Sequence, residues 1–157
     1  MPKEHNARLD HFSVAPELFQ PMLDQEKLLN ESGLEQSLID LVKLRASQIN
    51  GCAFCIKMHW QKARARGEAE ERLYLLNAWR EASVYTSREA VALNWTEALT
   101  RIEITHAPDS DYAAVAAEFS PREQVALSLV VTAINAWNRI AIGFRMPHGL
   151  PSAARAA

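Results

Sequence analysis

Apolar residues recur at intervals of three and four positions through most of this 157-residue chain, which is the spacing of an α-helix with one buried face. No segment shows the alternation of β-branched or aromatic residues with polar ones that predicts a strand. The pattern therefore predicts an all-α fold of about six to seven helices with no sheet. The expected helices span approximately residues 16–32, 35–50, 53–66, 70–82, 86–104, 112–118 and 121–145.

Three of the expected helix boundaries carry local signals. Gly51 stands where a helix needs a residue in the left-handed conformation, so it ends the second helix. Thr86 with Glu89, and Ser120 with Glu123, have the spacing of a capping box, which satisfies free backbone N–H groups at a helix start. These signals predict the starts of the fifth and seventh helices.

Length and charge indicate a single domain over residues 1–157, with its core at about 16–145 and an extended arm over residues 1–15. The chain has 17 basic and 19 acidic side chains, a net charge of −2, which indicates neither nucleic-acid nor anionic-membrane binding. Its charged N-terminus is unlike a signal peptide, and no run approaches the roughly 18 uninterrupted apolar residues of a membrane helix. A cytoplasmic location is therefore expected.

The two cysteines of the chain, Cys52 and Cys55, form a Cys-x-x-Cys motif that precedes His59 by four residues. If the chain is helical from about Ala53, Cys55 and His59 lie on one face, and Cys52 stays within disulfide reach of Cys55. The helix N-terminus would favour the thiolate over the thiol. A lone Cys-x-x-Cys in a reducing compartment is more often catalytic or metal-binding than structural, so we interpret the motif first as a redox site.

The Cys-x-x-Cys motif has three other interpretations. A thioredoxin-type site needs strands around it, and this chain offers helices. Structural zinc needs four ligands, and no second ligand cluster follows. Burial of both cysteines as small hydrophobic residues is the third interpretation, which Gly51, the helix start and His59 make less favoured than a redox role. The other histidines are scattered, at His5, His11, His106 and His148.

Polar residues outside the motif are candidate partners of the dithiol. A thiol nucleophile beside a base also needs a group that orients the base. Glu35 and Asp40 are the acidic residues of the preceding helix, and the sequence alone places neither near His59. A polar and aromatic cluster late in the chain either packs in the core or borders the thiol pocket; it consists of Asn135, Trp137, Asn138 and Arg139.

The segment Leu41–His59, LVKLRASQINGCAFCIKMH, resembles the core of AhpD-like alkylhydroperoxidases, within the carboxymuconolactone decarboxylase superfamily. The resemblance extends to EAVAL at 89–93 with EALT at 97–100, and to NAWNR at 135–139, so it covers roughly residues 16–145. It implies an AhpD-like helical bundle that assembles into a homo-oligomer, commonly a trimer or hexamer.

The resemblance also implies a role for each residue of the motif. Cys55 matches the attacking thiolate, Cys52 the resolving cysteine, and His59 the histidine that assists deprotonation. The family's glutamate, twelve residues before the first cysteine, falls on Asp40, which keeps the carboxylate but is one methylene shorter. Phe54 stands where the best-studied members have a histidine.

These roles imply a thiol-dependent peroxidase that reduces small alkyl hydroperoxides through a dithiol/disulfide cycle. No bound cofactor is expected, and an external dithiol, either a thiol reductant protein or a lipoyl-type dithiol, would supply electrons. The alternative is a non-peroxidase redox module that senses oxidation or carries electrons. A lactone decarboxylase is disfavoured because those members of the superfamily work without this dithiol.

Overall fold

The computed structural model of the protein describes residues 6–148, which form nine α-helices and no strand. A single 3-10 turn, Leu76–Ala78, follows the fifth helix. The helices are α1 (His11–Val14), α2 (Pro16–Asn30), α3 (Gln36–Asn50), α4 (Ala53–Ala65), α5 (Glu70–Leu75), α6 (Ser87–Thr100), α7 (Ile102–Thr105), α8 (Asp109–Glu118) and α9 (Pro121–Phe144).

The prediction of six to seven helices is wrong, although the all-α class is confirmed for the described residues. Arg101 leaves the helical region, with φ −109° and ψ 40°, and divides the expected 86–104 helix into α6 and α7. The expected extended arm contains α1, because the Asp10 carboxylate accepts the backbone N–H of Ser13 and caps one helical turn. The expected 70–82 helix ends early, at Leu75.

Helix α3 is the centre of the bundle and packs against α4, α6 and α9. Its ten consecutive residues from Leu38 to Ser47 are all buried, so it is enclosed on every side rather than along one stripe. Charged residues are therefore buried with the apolar ones on this helix. Those buried polar groups need partners, and several of the partners lie around the dithiol.

The predicted boundary signals at Gly51, Thr86 and Ser120 are confirmed. Gly51 ends α3 with φ 69°. Thr86 and Ser120 each accept the backbone N–H of the glutamate three residues later, and that glutamate reaches back to the cap. The two long helices α6 and α9 therefore begin where their sequences predict.

By length and composition, α9 meets the requirements of a membrane-spanning helix, and it is the one helix within residues 6–148 that does. It packs against α2, α3, α4, α6 and α8. The apolar character of α9 thus supplies the core of the bundle.

Candidate active site

The two cysteines lie at the junction of α3 and α4. Gly51 turns the chain, and the backbone N–H of Cys52 donates to the carbonyl of Ser47 at 3.0 Å. Cys52 is the N-cap of α4, and its Sγ accepts the backbone N–H of Cys55 at 3.3 Å. The two side chains form a disulfide, with their Cα atoms 5.3 Å apart, and both are buried. The dithiol is therefore at the positive end of the α4 dipole.

An asparagine network holds this junction against α9. The side-chain amide of Asn50 donates to the side-chain oxygens of Asn135 and Asn138, each at 2.9 Å. The amide of Asn138 in turn donates to the Ser47 hydroxyl at 3.0 Å. Asn138 is fully buried, so each of these hydrogen bonds replaces one with water. The network fixes the last turn of α3 immediately before the cysteines.

A cavity of about 340 Å³ opens beside the disulfide, and we call it the Cys55 cavity. Cys55 and His59 both line it, as their i, i+4 spacing on α4 predicts. The lining is mostly apolar, with a few polar groups. It comprises Phe12, Leu23, Glu26, Asn30, Phe54, Cys55, Met58, His59, Lys62, Ile134, Trp137, Ala141 and Met146.

His59 is a neutral base at the edge of this cavity. Its residue is 4% exposed, and neither ring nitrogen has a hydrogen-bond partner. Burial, followed in order by the positive charges of Lys43, Lys62 and Arg66, lowers the pKa of His59 to about 3. The ring is therefore uncharged at neutral pH, and both nitrogens are free of the hydrogen bonds that would compete with a substrate or a thiol.

Asp40 pairs with Arg66. Both of its carboxylate oxygens accept hydrogen bonds from Arg66, one at 2.6 Å. It lines a separate polar cavity with Arg66 and Glu68, which we call the Asp40 cavity. Asp40 makes no hydrogen bond to His59, so a proton relay through Asp40 stays a prediction. Glu35, the other acidic candidate, forms an ion pair with Arg88 at the start of α6.

Sequence reasoning missed two charged residues near the dithiol, Glu26 and Lys43. Glu26, on α2, lines the Cys55 cavity, forms an ion pair with the buried Lys43, and accepts the indole N–H of Trp137 at 3.1 Å. The sequence does contain a signal for Glu26, because this residue falls four positions after Met22 and three before Leu29, within the apolar stripe of α2. An acid on the inward face of a helix indicates a buried partner.

The late polar and aromatic cluster combines both predicted roles. Trp137 lines the Cys55 cavity, whereas Asn135 and Asn138 form the structural network of the junction. Arg139 donates to the backbone oxygen of Asn135 at 2.8 Å, within its own helix. Among residues 6–148, no three or more His, Cys, Asp and Glu side chains are grouped to hold a metal ion, and His5 lies outside the described residues.

The structure is an all-helical bundle in which the two buried cysteines begin α4 and His59 follows on the same helix. This combination of fold and site defines the class of protein. The carboxymuconolactone decarboxylase family model matches residues 16–98, more than half of the chain. The chain therefore belongs to the carboxymuconolactone decarboxylase family, and within that superfamily it is AhpD-like.

Relatives of similar length support this placement. The uncharacterized protein YdfG of Bacillus subtilis (strain 168) is 41% identical over 135 residues, which cover 86% of this chain and 92% of YdfG. The crystal structure of ATU0492 from Agrobacterium tumefaciens has a TM-score of 0.90 and 42% identity, covering 93% of this chain and all of that one. ATU0492 is of unknown function and is linked by name to the antioxidant defence protein AhpD.

A more distant structure shares the fold alone. An uncharacterized peroxidase-related protein from Silicibacter sp. TM1040 has a TM-score of 0.76 at 20% identity, covering 94% of this chain and 96% of that one. Identity at this level places both chains in one architecture without assigning a reaction to this one.

Proposed function

We propose that the protein is a thiol-dependent peroxidase that reduces small alkyl hydroperoxides through a Cys52–Cys55 dithiol/disulfide cycle. The observation that carries the proposal is the placement of Cys55 and His59 on one wall of a mostly apolar cavity, with Cys52 at disulfide distance behind Cys55. The apolar lining suits the organic group of an alkyl hydroperoxide. A carboxymuconolactone decarboxylase fold with ATU0492 as a relative supports the same class of activity.

In the proposed oxidative half-reaction, the Cys55 thiolate attacks the O–O bond of the peroxide. The sulfur takes the terminal oxygen as sulfenic acid, and the remaining alkoxide leaves with a proton as the alcohol. The Cys52 thiolate then attacks the Cys55 sulfur, which forms the disulfide and releases water after protonation. An external dithiol reduces the disulfide and is itself oxidised, so each cycle moves two electrons from dithiol to peroxide and no bound cofactor is needed.

His59 is the residue proposed to assist deprotonation of Cys55. With the disulfide formed its pKa is lowered to about 3, so the ring is neutral and a ring nitrogen can accept a hydrogen bond from the Cys55 thiol, although a base this weak does not hold the thiol proton by itself. The helix N-terminus then stabilises the thiolate that forms.

The proposal is tested by peroxide turnover with dithiothreitol as donor, in wild type, Cys55→Ser and Cys52→Ser. We expect Cys55→Ser to lose turnover entirely. Cys52→Ser should still react once with cumene hydroperoxide and then stop with a sulfenic acid on Cys55, which dimedone traps for mass spectrometry. Equal turnover in wild type and Cys55→Ser would overturn the proposal.

The non-peroxidase alternative gives a different result in the same experiment. A redox sensor or electron carrier forms the disulfide reversibly with diamide but shows no sustained consumption of peroxide. The burial of both cysteines favours a small substrate over direct exchange with the surface of a large partner.

We also propose that the protein works as a homo-oligomer, a trimer or hexamer, in the cytoplasm, where external dithiols are available. An exposed apolar groove between the end of α2 and the start of α9 supports self-association; it is lined in part by Leu28, Val125 and Leu129. Light scattering during size-exclusion chromatography tests this, and a monomer at micromolar concentration would contradict it.

A further inference from the structure

The disulfide lies between two cavities, and each cavity is lined by one of the two cysteines. Cys55 lines the Cys55 cavity and Cys52 does not. Cys52 lines a second cavity of about 250 Å³, which Cys55 does not line, and we call it the Cys52 cavity. Phe54, Ala141 and Met146 line both cavities and pack against the cysteines. Together with the disulfide they form the wall between them.

The two half-reactions of a dithiol cycle need access to different sulfurs. Peroxide must reach the attacking cysteine of the reduced protein. A reducing thiolate must reach one sulfur of the disulfide from the side away from the other sulfur, since it displaces that other sulfur as a thiolate. A thiolate in the Cys52 cavity meets Cys52 and not Cys55, so its attack displaces Cys55.

Displacement of Cys55 is also the productive direction for the cycle. A sulfur leaves more readily when its thiolate is stabilised. Both sulfurs lie at the positive end of the α4 dipole, Cys52 at the N-cap and Cys55 in the first turn, so the dipole stabilises Cys55 as a leaving thiolate. Attack on Cys52 therefore returns Cys55 directly as the thiolate that the next peroxide requires.

We propose that the Cys52 cavity is the binding site of the thiol reductant, an inference that rests on the proposed dithiol cycle. A thiolate of a small aliphatic dithiol attacks Cys52 Sγ, the Cys52–Cys55 bond breaks, and its electron pair leaves on Cys55. The second thiol of the reductant then attacks the mixed disulfide, forms the reductant's own disulfide and releases Cys52. The dithiol loses two electrons, the protein disulfide gains them, and the two thiol protons pass to Cys52 and Cys55.

The lining of the Cys52 cavity suits such a ligand. Ile142, Ala53 and the shared wall residues supply apolar surface for an aliphatic chain. Arg145, exposed at the end of α9, supplies a positive charge that attracts a thiolate or a carboxylate. No Asp or Glu lines this cavity among the described residues, so nothing there repels an anion. A volume near 250 Å³ fits a small dithiol better than a drug-sized molecule.

A matched pair of variants separates the two cavities. Ile142 and Leu23 are each 46% exposed, and each lines one cavity only. Reduction is measured on protein oxidised with diamide, by alkylating the thiols released by dihydrolipoate. Oxidation is measured on reduced protein with cumene hydroperoxide. We expect Ile142→Phe to slow reduction by about fivefold or more and to leave oxidation within about twofold, and Leu23→Phe to do the reverse.

The sulfur that the reductant attacks is identified in the wild-type protein, which needs no variant to fold. Oxidised protein is mixed with the monothiol mercaptoethanesulfonate, quenched with acid, alkylated and mapped by tandem mass spectrometry. We expect the mixed disulfide on Cys52 and the alkylated thiol on Cys55. A mixed disulfide on Cys55, or an Ile142→Phe protein reduced at the wild-type rate, would overturn the inference.

The positive charge of Arg145 provides a third test of the reductant site. Dihydrolipoate and dihydrolipoamide carry the same dithiol and differ in one carboxylate. Arg145→Gln should slow reduction by dihydrolipoate about threefold more than reduction by dihydrolipoamide, and Arg145→Lys should restore most of the difference. The reduction assay starts from a disulfide made with diamide, so it tests the reductant site even if peroxide fails to oxidise the protein. Failure of peroxide to oxidise the protein would overturn the proposed function and not this inference.

Discussion

Two cavities that residues of α4 and its C-cap help to line each contain a carboxylate paired with a basic side chain, and Cys55 lines one of the two. In the Asp40 cavity, the acid is buried and its partner Arg66 is on the surface, with a 45% exposed side chain. In the Cys55 cavity, the arrangement is reversed: the acid Glu26 is partly exposed, and its partner Lys43 has a 6% exposed side chain. When one partner of a pair is neutralised, the loss of stability depends on whether the charge left unpaired is buried or exposed.

The comparison also identifies the charges that lower the pKa of His59. Lys43, Lys62 and Arg66 all lower the pKa of His59, and no carboxylate counters them through a hydrogen bond. Asp40 is hydrogen-bonded to Arg66, one of these three cations. Glu26 is the carboxylate that shares a cavity with Cys55 and His59.

The largest expected effect is that of Glu26→Gln. The change leaves the Lys43 ammonium buried without a counter-charge, so we expect the free energy of unfolding to fall by roughly 3 kcal/mol. The change also removes a negative charge from the Cys55 cavity. Loss of that charge stabilises the Cys55 thiolate, so alkylation of Cys55 by iodoacetamide near pH 6 should become faster. Urea unfolding and the pH profile of alkylation measure the two effects.

Asp40→Asn is the matched control for Glu26→Gln. The exposed Arg66 regains water when its partner is neutralised, so we expect a loss below about 1 kcal/mol and an unchanged alkylation profile. If Asp40→Asn instead shifts the profile and Glu26→Gln does not, Asp40 is the carboxylate coupled to the dithiol and the comparison is wrong. Asp40→Glu would then be expected to retain the wild-type profile.

Acidification should destabilise the oxidised protein through His59. Its pKa is about 3 in the folded protein against 6.5 in the unfolded chain, so the unfolded chain binds more protons between those values and stability falls as pH falls. From pH 7 to pH 5 we expect a loss of about 2 kcal/mol from this group. Urea unfolding of wild type and His59→Gln at both pH values isolates the contribution.

The exposed His106 provides a control for the acid effect. It lies in the left-handed region at the end of α7, which asparagine tolerates, so His106→Asn should keep the wild-type dependence of stability on pH. Only His59→Gln should flatten it. Parallel curves for wild type and His59→Gln would show that the imidazole is not buried in the neutral form.

The sequence predicts the elements that depend on neighbouring residues. The Gly51 stop, the capping boxes at Thr86 and Ser120, and the placement of Cys55 and His59 on one helix face are all local relations, and the structure confirms them. The division between α6 and α7 was missed because no Gly or Pro marks Arg101. A helix break without a breaker residue depends on tertiary packing, which periodicity does not report.

The carboxylates show why the rest of the site could not be predicted. Asp40 is 15 positions from Cys55 along the chain and Glu26 is 29 positions away, and only packing decides which of them enters the cavity. The side chain of Asp40 lies on the face of α3 that meets Arg66 of α4. Glu26 arrives from α2, through contacts with Lys43 and Trp137 that are distant in sequence.

The smallest expected effect tests whether the indole of Trp137 positions Glu26. Trp137→Phe removes the N–H that donates to the Glu26 carboxylate at 3.1 Å, while an aromatic ring stays in the cavity. Trp95→Phe removes a comparable bond, at 3.0 Å to the Ser128 hydroxyl, far from either cavity. Each should lower the free energy of unfolding by about 1 kcal/mol, the value of one hydrogen bond.

Only Trp137→Phe should also shift the pH profile of Cys55 alkylation, because a less restrained Glu26 changes the electric field at the Cys55 thiol. A shift of equal size in Trp95→Phe would assign the effect to general loosening of the bundle and remove Trp137 from the site.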